Sequence, residues 1–304
     1  MTASKPTRNA EADPPEAGPT LIEGGFELLV EGENPTLVRR FFTTQRHFIG
    51  LIFGGLRAHL RSLPRTRRRG FRFRLLVLLD LLGRPFLDRE QAARPFPVQL
   101  RKRLETLGPT YIKLGQILSL REDILPAEIT SELKNLLDRL PAVPYERFRE
   151  LVSADLGRDV EQIFAWIEHQ PVGSASIGQV QRARLHSGEE VILKLVKPGI
   201  RETLRKDVVL LRLLGFILQI FLARLQPKRV INEFCHYTLR EVDLRIEADN
   251  AETFAANFKD QADIVFPKIY RDFTTENVLC MEFFDGFKPN SERAKSMPLE
   301  DKER

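Results

Sequence analysis

Apolar residues between Thr36 and Leu107 recur mostly at helical spacing, in runs that prolines interrupt. We predict short helices that end near these prolines, because proline lacks the amide proton that a helix interior needs. The interrupting residues are Pro64, Pro85, Pro95 and Pro97. Gly108-Pro109 then combines a helix stop with a helix start. The helices expected after it run from Thr110 to about Ser119, from Leu133 to Leu140 and from Tyr145 to Leu156.

The pattern changes at Pro171, where a small-residue loop and strand-like runs replace the helical spacing. QVQRARL and EVILKLV flank a turn at Gly188 and predict a hairpin. Helical spacing returns from about Arg201 to Phe258. IVFPKIY and VLCMEFF, on either side of a polar TTEN turn, predict a second hairpin. This order of elements predicts an α+β fold with an antiparallel sheet.

Composition favours a folded chain in a reducing compartment. Hydrophobic residues make up 42% of the sequence and include 21 Phe, which is enough for a buried core. Cys235 and Cys280 lie far apart without CxxC spacing, which argues against a disulfide framework or a zinc site. The five His are scattered, so we expect no metal cluster. The first 20 residues lack an apolar signal-peptide core, and we do not expect secretion.

Charge is distributed unevenly along the chain. Residues 1–35 are acidic and Pro-rich and read as a disordered tail, whereas residues 36–108 carry 17 Arg and Lys against four acids, a net charge of +13. A basic block of this kind suits an anionic membrane or a nucleic acid if it gathers on one face, and a solvated helical surface if it does not. Phe71 and Phe73 lie among the arginines of 65–74, but no nucleic-acid module surrounds them, so nucleic-acid binding is the weakest hypothesis.

Residues 208–225 are apolar over about the length of a membrane span. Arg212, Gln219 and Arg224 interrupt the segment, so we do not expect a spanning helix. A helix that is buried in protein, or that lies on a bilayer surface, fits the pattern better.

The small-residue loop has the spacing of a kinase phosphate-covering loop, GxGxxGxV, with alanine in place of the second glycine. Small side chains allow backbone N–H groups to approach phosphate oxygens closely. For the loop alone, a small-residue β-turn without a ligand is the better explanation. The candidate nucleotide-binding residues of the loop are Gly173, Ser174, Ala175, Ser176 and Gly178.

Charged residues farther along the chain strengthen the kinase interpretation. Lys194, in the strand-like run VILK, would lie beside the loop, where a kinase lysine pairs with nucleotide phosphates. Asp243 and Glu247 would share one face of a helix, with Glu241 pointing elsewhere. From the pattern alone, a solvated acidic face that Arg240 and Arg245 compensate is the better explanation of these acids.

The strand VLCMEFF ends in Asp285-Gly286 and resembles the junction against which kinases hold adenine. By spacing, the Glu282 C=O and the Phe284 N–H would contact the base, with Met281 at the back of the pocket. The strand alone does not indicate a nucleotide site. It supports the kinase interpretation because it follows the loop, the lysine and the acids in the order found in kinases.

Together these segments resemble the UbiB (AarF, ADCK-like) family of atypical kinases over about residues 97–286. The most specific feature is LGPTYIKLGQ, which matches the family's KxGQ motif at Lys113, Gly115 and Gln116. Residues 171–183 resemble its Ala-rich loop, with Gly173 and Ser174 in place of two alanines. Glu241-Val-Asp243 matches its ExD motif.

The resemblance implies a protein-kinase-like N-lobe, an antiparallel sheet plus an αC-type helix, preceded by a helical KxGQ extension. In it, Glu247 pairs with Lys194, and Lys113 reaches across the active site to Glu241 and Asp243. The implied segments are an acidic tail (1–35), the extension (36–160), the N-lobe (161–290) and a second tail (291–304).

The resemblance also implies a function. Family members bind ATP as Mg-ATP, and the KxGQ helix occludes a protein substrate, which favours ATP binding or slow hydrolysis over peptide phosphorylation. They support ubiquinone and other isoprenoid-quinone metabolism at membranes. We therefore expect an adenine nucleotide, a membrane surface and quinone-biosynthesis proteins as partners, in the cytoplasm at the periphery of the inner membrane.

The family's HxDxHPGN and DFG stretches are absent from these 304 residues. Phosphoryl transfer needs their acids for catalysis and for magnesium, so we assign no catalytic or metal-ligating residue and expect no useful transfer rate from this sequence as written. Two interpretations stay open: the ATP-binding portion of a UbiB-type kinase or ATPase, and a non-catalytic membrane-associated scaffold or regulatory protein.

Overall fold

The computed structural model describes residues 36–64, 68, 70–84, 90–136, 142–221, 223–286 and 296. The predicted tails, apart from Ser296, lie outside the described residues. So do residues 137–140 of one predicted helix and part of the Arg-rich segment 65–74.

The front of the described chain is helical. Its helices are α1 (Leu37–Ser62), α2 (Phe71–Gly83), α3 (Phe96–Leu107), α4 (Pro109–Ser119), α5 (Ala127–Leu133), α6 (Tyr145–Leu156) and α7 (Val160–Ile163). The strands are β1 (Phe164–Ile167), β2 (Gly173–Ser174), β3 (Gly178–Leu185), β4 (Glu190–Val196) and β5 (Val278–Glu282). Between the last two strands lie α8 (Ile200–Phe221), α9 (Pro227–Glu241) and α10 (Leu244–Asn257).

Within the described residues the strands form one five-stranded antiparallel sheet in the order β1-β3-β4-β5, with β2 also paired to β3. Val180 of β3 lies opposite Lys194 of β4, which in turn lies opposite Leu279 of β5. Side chains that lie opposite each other share a face of the sheet. Lys194 therefore has valine and leucine as its cross-strand neighbours. The predicted α+β fold with an antiparallel sheet is confirmed.

Each face of the sheet contributes to a different hydrophobic core. On one face Leu193, Leu195 and Cys280 pack with Phe148 and Val152 of α6. On the other face Val196 and Leu279 pack with the helices α3, α4, α8, α9 and α10. The predicted boundary at residue 160 leaves α6 in the extension and falls at the first residue of α7, and both helices pack against the sheet.

Prolines of the extension begin helices more often than the sequence predicted. α1 is one continuous helix of 26 residues. Pro95 is the N-cap residue of α3, and Pro97 lies in the first turn of that helix. Both positions tolerate proline, because the first amides of a helix have no acceptor within it. The prediction of a break at Pro97 was therefore wrong.

The predicted helix from Leu133 to Leu140 was also wrong in its limits. The helix here is α5, which begins at Ala127 after Pro126 and ends at Leu133. Asn135 and Leu136 continue only as a turn. Pro126 at the N-cap marks the start that the hydrophobic spacing did not reveal.

The second predicted hairpin is only partly present. β5 forms, but residues 264–270 contribute only an isolated bridge, at Ile269, to Met281. Tyr270 N–H donates to the Cys280 carbonyl at 2.9 Å, and Glu282 N–H donates to the Lys268 carbonyl at 2.9 Å. Pro267 cannot donate to a ladder, which limits the pairing to this short stretch.

The predicted helical region from Arg201 to Phe258 divides into α8, α9 and α10. The second break, between Glu241 and Leu244, falls within the ExD motif. Among the described helices, none combines the length and the apolar character needed to cross a bilayer.

Candidate functional site

An open cleft of about 1190 Å³ lies between the small-residue loop, β4, α4 and the junction of α9 with α10. Most of the predicted site residues line it. These are Lys113, Gly173, Ser174, Ala175, Ser176, Gly178, Lys194, Glu241, Asp243 and Glu247. The cleft therefore combines the loop, the strand lysine and the helix acids, which are far apart in the sequence.

The small-residue loop is the tight turn between β2 and β3. Ala175 N–H donates to the Gly178 carbonyl at 2.9 Å and closes the turn. A Cβ at Gly178 would lie 3.2 Å from the Leu195 carbonyl oxygen, so the close approach of β3 to β4 favours glycine there. The space next to Gly173 is open.

Lys197, directly after β4, stabilises this turn through two hydrogen bonds. Its side-chain ammonium donates to the Ala175 carbonyl at 2.7 Å, and its backbone N–H donates to the Ile177 carbonyl at 2.9 Å. Lys197 is buried, and burial lowers its pKa to about 8. The sequence reasoning missed this residue, because it considered only Lys194 in the run EVILKLVKPG.

Lys194 and Glu247 form an ion pair across the cleft. The Lys194 ammonium lies 2.9 Å from Glu247 Oε1 and 2.6 Å from Oε2. β4 supplies the lysine, and the first turn of α10 supplies the carboxylate. The contact is the one that the resemblance implied, and it leaves the lysine partly exposed toward the loop.

Lys113 of α4 contacts only one of the two ExD acids. Its ammonium lies 2.8 Å from Glu241 Oε1. The other oxygen of Glu241 is buried and accepts no hydrogen bond from a described residue. The Glu241 carboxylate therefore depends on Lys113 for its charge compensation.

Asp243 pairs with Arg245, which corrects the expectation that Lys113 would reach both acids. Arg245 Nε and Nη2 lie 2.9 and 2.8 Å from the two carboxylate oxygens, and they lower the pKa of Asp243. Asp243 is also the N-cap residue of α10 and accepts from Arg245 N–H. Because α10 begins only after it, Asp243 and Glu247 are not on one continuous helix face, as the sequence predicted.

Arg201, at the start of α8, stabilises the junction between α9 and α10, where the ExD acids lie. Its guanidinium donates to the Val242 carbonyl and to Asn277 Oδ1, the latter at 2.8 Å. At the same junction, Leu244 N–H donates to the Glu276 carbonyl at a distance of 3.0 Å. Sequence reasoning did not single out Arg201, since its partners lie 41 to 76 positions away.

Gly115 and Gln116 of the KxGQ motif are not among the residues that line the cleft. Gly115 faces the core, where a Cβ would lie 2.3 Å from Leu136 Cδ1 and 2.8 Å from Leu104 Cδ1. The Gln116 carbonyl accepts from the Ser119 hydroxyl at 2.6 Å. The structure thus gives Gly115 a packing role and places only Lys113 of the motif on the cleft.

The predicted adenine contacts also lie apart from the lining of the cleft. Glu282 is the last residue of β5, and its carboxylate accepts from Lys268 N–H at 3.1 Å. Phe284 lies two positions later and is exposed. Met281 packs against the core that contains Leu279. Of the predicted nucleotide contacts, the cleft gathers those for phosphates and not those for the base.

The residues of the cleft fit the phosphates of a nucleotide. No acceptor among the described residues is found for the N–H groups of Ser176 and Ile177, which leaves both amides for a ligand. Lys194 adds a positive charge next to them. The described part of the chain contains no group of three or more possible metal ligands, so no ligand set for magnesium is assigned.

A protein-family profile described as the ABC1 atypical kinase-like domain matches residues 135–303. A probable protein kinase UbiB from Marinobacter nauticus is 37% identical over 217 residues, covering 70% of this chain and 38% of the relative. A probable protein kinase UbiB from Pseudomonas aeruginosa is 36% identical over 244 residues, covering 75% of this chain and 46% of the relative. Protein ACTIVITY OF BC1 COMPLEX KINASE 8, chloroplastic, from Arabidopsis thaliana is 38% identical over 204 residues, covering 64% and 26%.

A solved complex of Rv3197 with erythromycin from Mycobacterium tuberculosis is 26% identical and covers 74% of this chain and 54% of that one, at a TM-score of 0.42. The chain spans between about a quarter and a half of the length of the curated relatives named above. Because the profile matches more than half of the chain, the protein belongs to the ABC1/UbiB family of atypical kinase-like proteins.

Proposed function

We propose that the cleft binds an adenine nucleotide, as Mg-ATP, with its phosphates against the loop and Lys194. The observation that carries this proposal is the Lys194–Glu247 ion pair beside a loop in which the N–H groups of Ser176 and Ile177 have no acceptor among the described residues. A kinase lysine held by a helix glutamate is oriented to meet nucleotide phosphates. α4 forms another wall of the cleft through Lys113, and in this position it restricts access for a protein substrate.

Nucleotide binding by the full 304-residue chain tests the proposal. Isothermal titration with ATP and magnesium should show binding, and Lys194→Met should weaken it by at least about tenfold, or ~1.4 kcal/mol. Lys259→Met is the matched control, because Lys259 is an exposed lysine away from the cleft. Equal affinity of the Lys194 variant and the wild type would remove the assigned role of this lysine.

We further propose that the protein acts in isoprenoid-quinone metabolism, as the name UbiB of several relatives suggests. The family membership supports this proposal. Quinone extracts from cells that lack the gene should show a reduced isoprenoid-quinone content. Restoration by the wild-type gene and not by a Lys194→Met version would connect the nucleotide cleft with the pathway, whereas unchanged quinone levels in the deletion strain would contradict the link.

A second candidate function, peripheral membrane binding in the cytoplasm, rests on an exposed apolar stripe of α8. The stripe follows one face of the helix, because its members are spaced by three, four or one residues. The members are Val209, Leu213, Phe216, Ile217 and Ile220, which are between 42% and 67% exposed. Arg205 and Arg212 are exposed on the same helix and suit anionic headgroups.

The basic block of the extension contributes less to such a surface than its charge of +13 suggests. Arg40 and Arg103 turn inward, and Arg101 pairs with Glu105 and Glu132. We therefore assign the membrane contact to the α8 stripe. Flotation with phosphatidylglycerol-rich vesicles should recover the wild type and lose a Phe216→Glu/Ile220→Glu variant.

Leu120→Glu is the control for flotation, because Leu120 is exposed but lies away from α8, at the C-terminal end of α4. Failure of the wild type to float even at low salt would reject the membrane proposal. Flotation by a chain that binds no nucleotide would favour the scaffold interpretation over the ATP-binding one.

A further inference from the structure

A buried ion pair joins the first helix of the extension to α8. Arg40 Nε lies 2.6 Å from Asp207 Oδ1, and Arg40 Nη2 lies 2.7 Å from Asp207 Oδ2. The Asp207 side chain is completely excluded from water, and the Arg40 side chain is 11% exposed. This two-point contact fixes the orientation of both side chains as well as their distance.

The same arginine also contacts the segment that carries Lys113. Arg40 Nη2 donates to the Leu107 carbonyl at 2.6 Å, at the end of α3 and directly before α4. Its guanidinium lies over the ring of Tyr111, 5.7 Å from the centroid, on α4 itself. Arg40 therefore holds α8, the end of α3 and the start of α4 at one point.

Helix geometry connects this point with the cleft. Residues two positions apart on a helix point about 200° from each other. Tyr111 is fully buried beside Arg40, and Lys113 accordingly lies on the opposite side of α4, where it pairs with Glu241. A shift of the buried side of α4 would move Lys113 relative to its carboxylate.

We infer that Arg40 and Asp207 are positioning residues that seat α4 and hold Lys113 against Glu241, and that the pair thereby controls entry of the nucleotide into the cleft. The part of this inference that concerns nucleotide entry rests on the proposed function. The placement of α4 does not. Apolar residues of similar volume often stabilise a fold as well as a buried ion pair does, yet they do not fix an orientation. The orientation is what the two-point contact and the Leu107 hydrogen bond supply.

The test uses the double variant Arg40→Met/Asp207→Leu in the full chain, which removes both charges together and leaves neither one buried alone. We expect a thermal midpoint close to that of the wild type and hydrogen exchange of the α4 amides that is at least about tenfold faster. Association and dissociation of a fluorescent ATP analogue, followed by stopped flow, should both accelerate about tenfold. Arg40→Lys keeps the charge but not the planar pair of donors. Its amide exchange and nucleotide rates should therefore lie between those of the wild type and the double variant.

A cycle with Lys113→Ala separates positioning from general loosening. If the pair acts through Lys113, the double variant should change nucleotide rates in the wild-type background and leave them nearly unchanged in the Lys113→Ala background. Equal effects in both backgrounds, or unchanged exchange of α4, would overturn the inference. Absence of nucleotide binding in every chain would reject the proposed function, while the exchange of α4 would still decide whether the pair seats the helix.

Discussion

Two ion pairs of similar geometry differ in how far water reaches them. Lys194–Glu247 and Arg40–Asp207 each bring a cation within 3 Å of both oxygens of a carboxylate. The side chains of the first pair are 31% and 42% exposed, whereas those of the second are 11% and 0% exposed. The difference in exposure decides which pair can exchange its partner for a ligand.

Water screens an exposed pair, so that its contribution to stability is small and its partners can separate at little cost. A buried pair has lost the hydration of both charges, and removal of one partner leaves the other charge without compensation. The exposed pair is therefore suited to a binding site, and the buried pair is suited to holding helices in a fixed arrangement.

The largest effect is expected from Asp207→Ala, which leaves the Arg40 guanidinium buried without a carboxylate. We expect a loss of about 3–5 kcal/mol in the free energy of unfolding, measured by urea denaturation. Asp249→Ala is the control, since Asp249 pairs with Arg271 at the surface and should cost at most about 1 kcal/mol. Similar losses for the two variants would show that burial does not distinguish the pairs.

Gly115→Ala extends the comparison from the ion pairs to two glycines, Gly115 against the core on α4 and Gly173 in the open loop. A Cβ at Gly115 would collide with the side chains of Leu136 and Leu104. We expect a loss of about 1–2 kcal/mol in the free energy of unfolding, because overpacking outweighs the better helix propensity of alanine. At Gly173 the added Cβ meets open space, so Gly173→Ala should change stability by less than about 0.5 kcal/mol. No loss at Gly115 would indicate that the buried side of α4 has room to adjust.

The pH dependence of stability probes the buried region near Arg40 through His47 of α1. Burial lowers the pKa of His47 to about 4, with smaller contributions from Arg103 of α3 and from Arg46 and Arg40 of its own helix. The unfolded chain therefore binds more protons between pH 6.5 and 4, and stability falls as the pH decreases through this window. We expect a loss of about 1–2 kcal/mol, since water reaches part of the ring.

Urea unfolding at a series of pH values should show that His47→Gln removes this part of the acid loss. Because glutamine does not titrate in this window, its free energy of unfolding should depend less on pH than that of the wild type. An identical acid profile for both proteins would mean that His47 is as well hydrated in the folded chain as in the unfolded one.

The exposed pair was predictable from the sequence, whereas the buried one was not. Lys194 and Glu247 belong to motifs with a known order, so the resemblance could connect them across 53 positions. Arg40 and Asp207 are 167 positions apart, and each lies in a run of charged and apolar residues that reads as an ordinary amphipathic helix. Only the packing of α1 on α8 shows that these two charges face inward.

Local backbone detail explains the other differences. The run from Arg240 to Glu247 has helical composition throughout. The helix nevertheless ends at Glu241, because Arg201 donates to the Val242 carbonyl and Asp243 caps the next helix. Cap geometry depends on tertiary contacts as well as on residue type. The expected reach of Lys113 to both acids failed for this reason.

Lys194→Met should have the smallest effect on stability and thereby gives the sharpest contrast with Asp207→Ala. Because water solvates both partners, we expect the free energy of unfolding to change by less than about 1 kcal/mol, and to change less still at high salt. Urea denaturation at low and high salt provides the measurement. A loss equal to that of Asp207→Ala would make Lys194 a structural residue, and weaker ATP binding by this variant would then report damage to the fold. A small loss, together with weaker ATP binding, would show that the exposed pair is kept for the ligand.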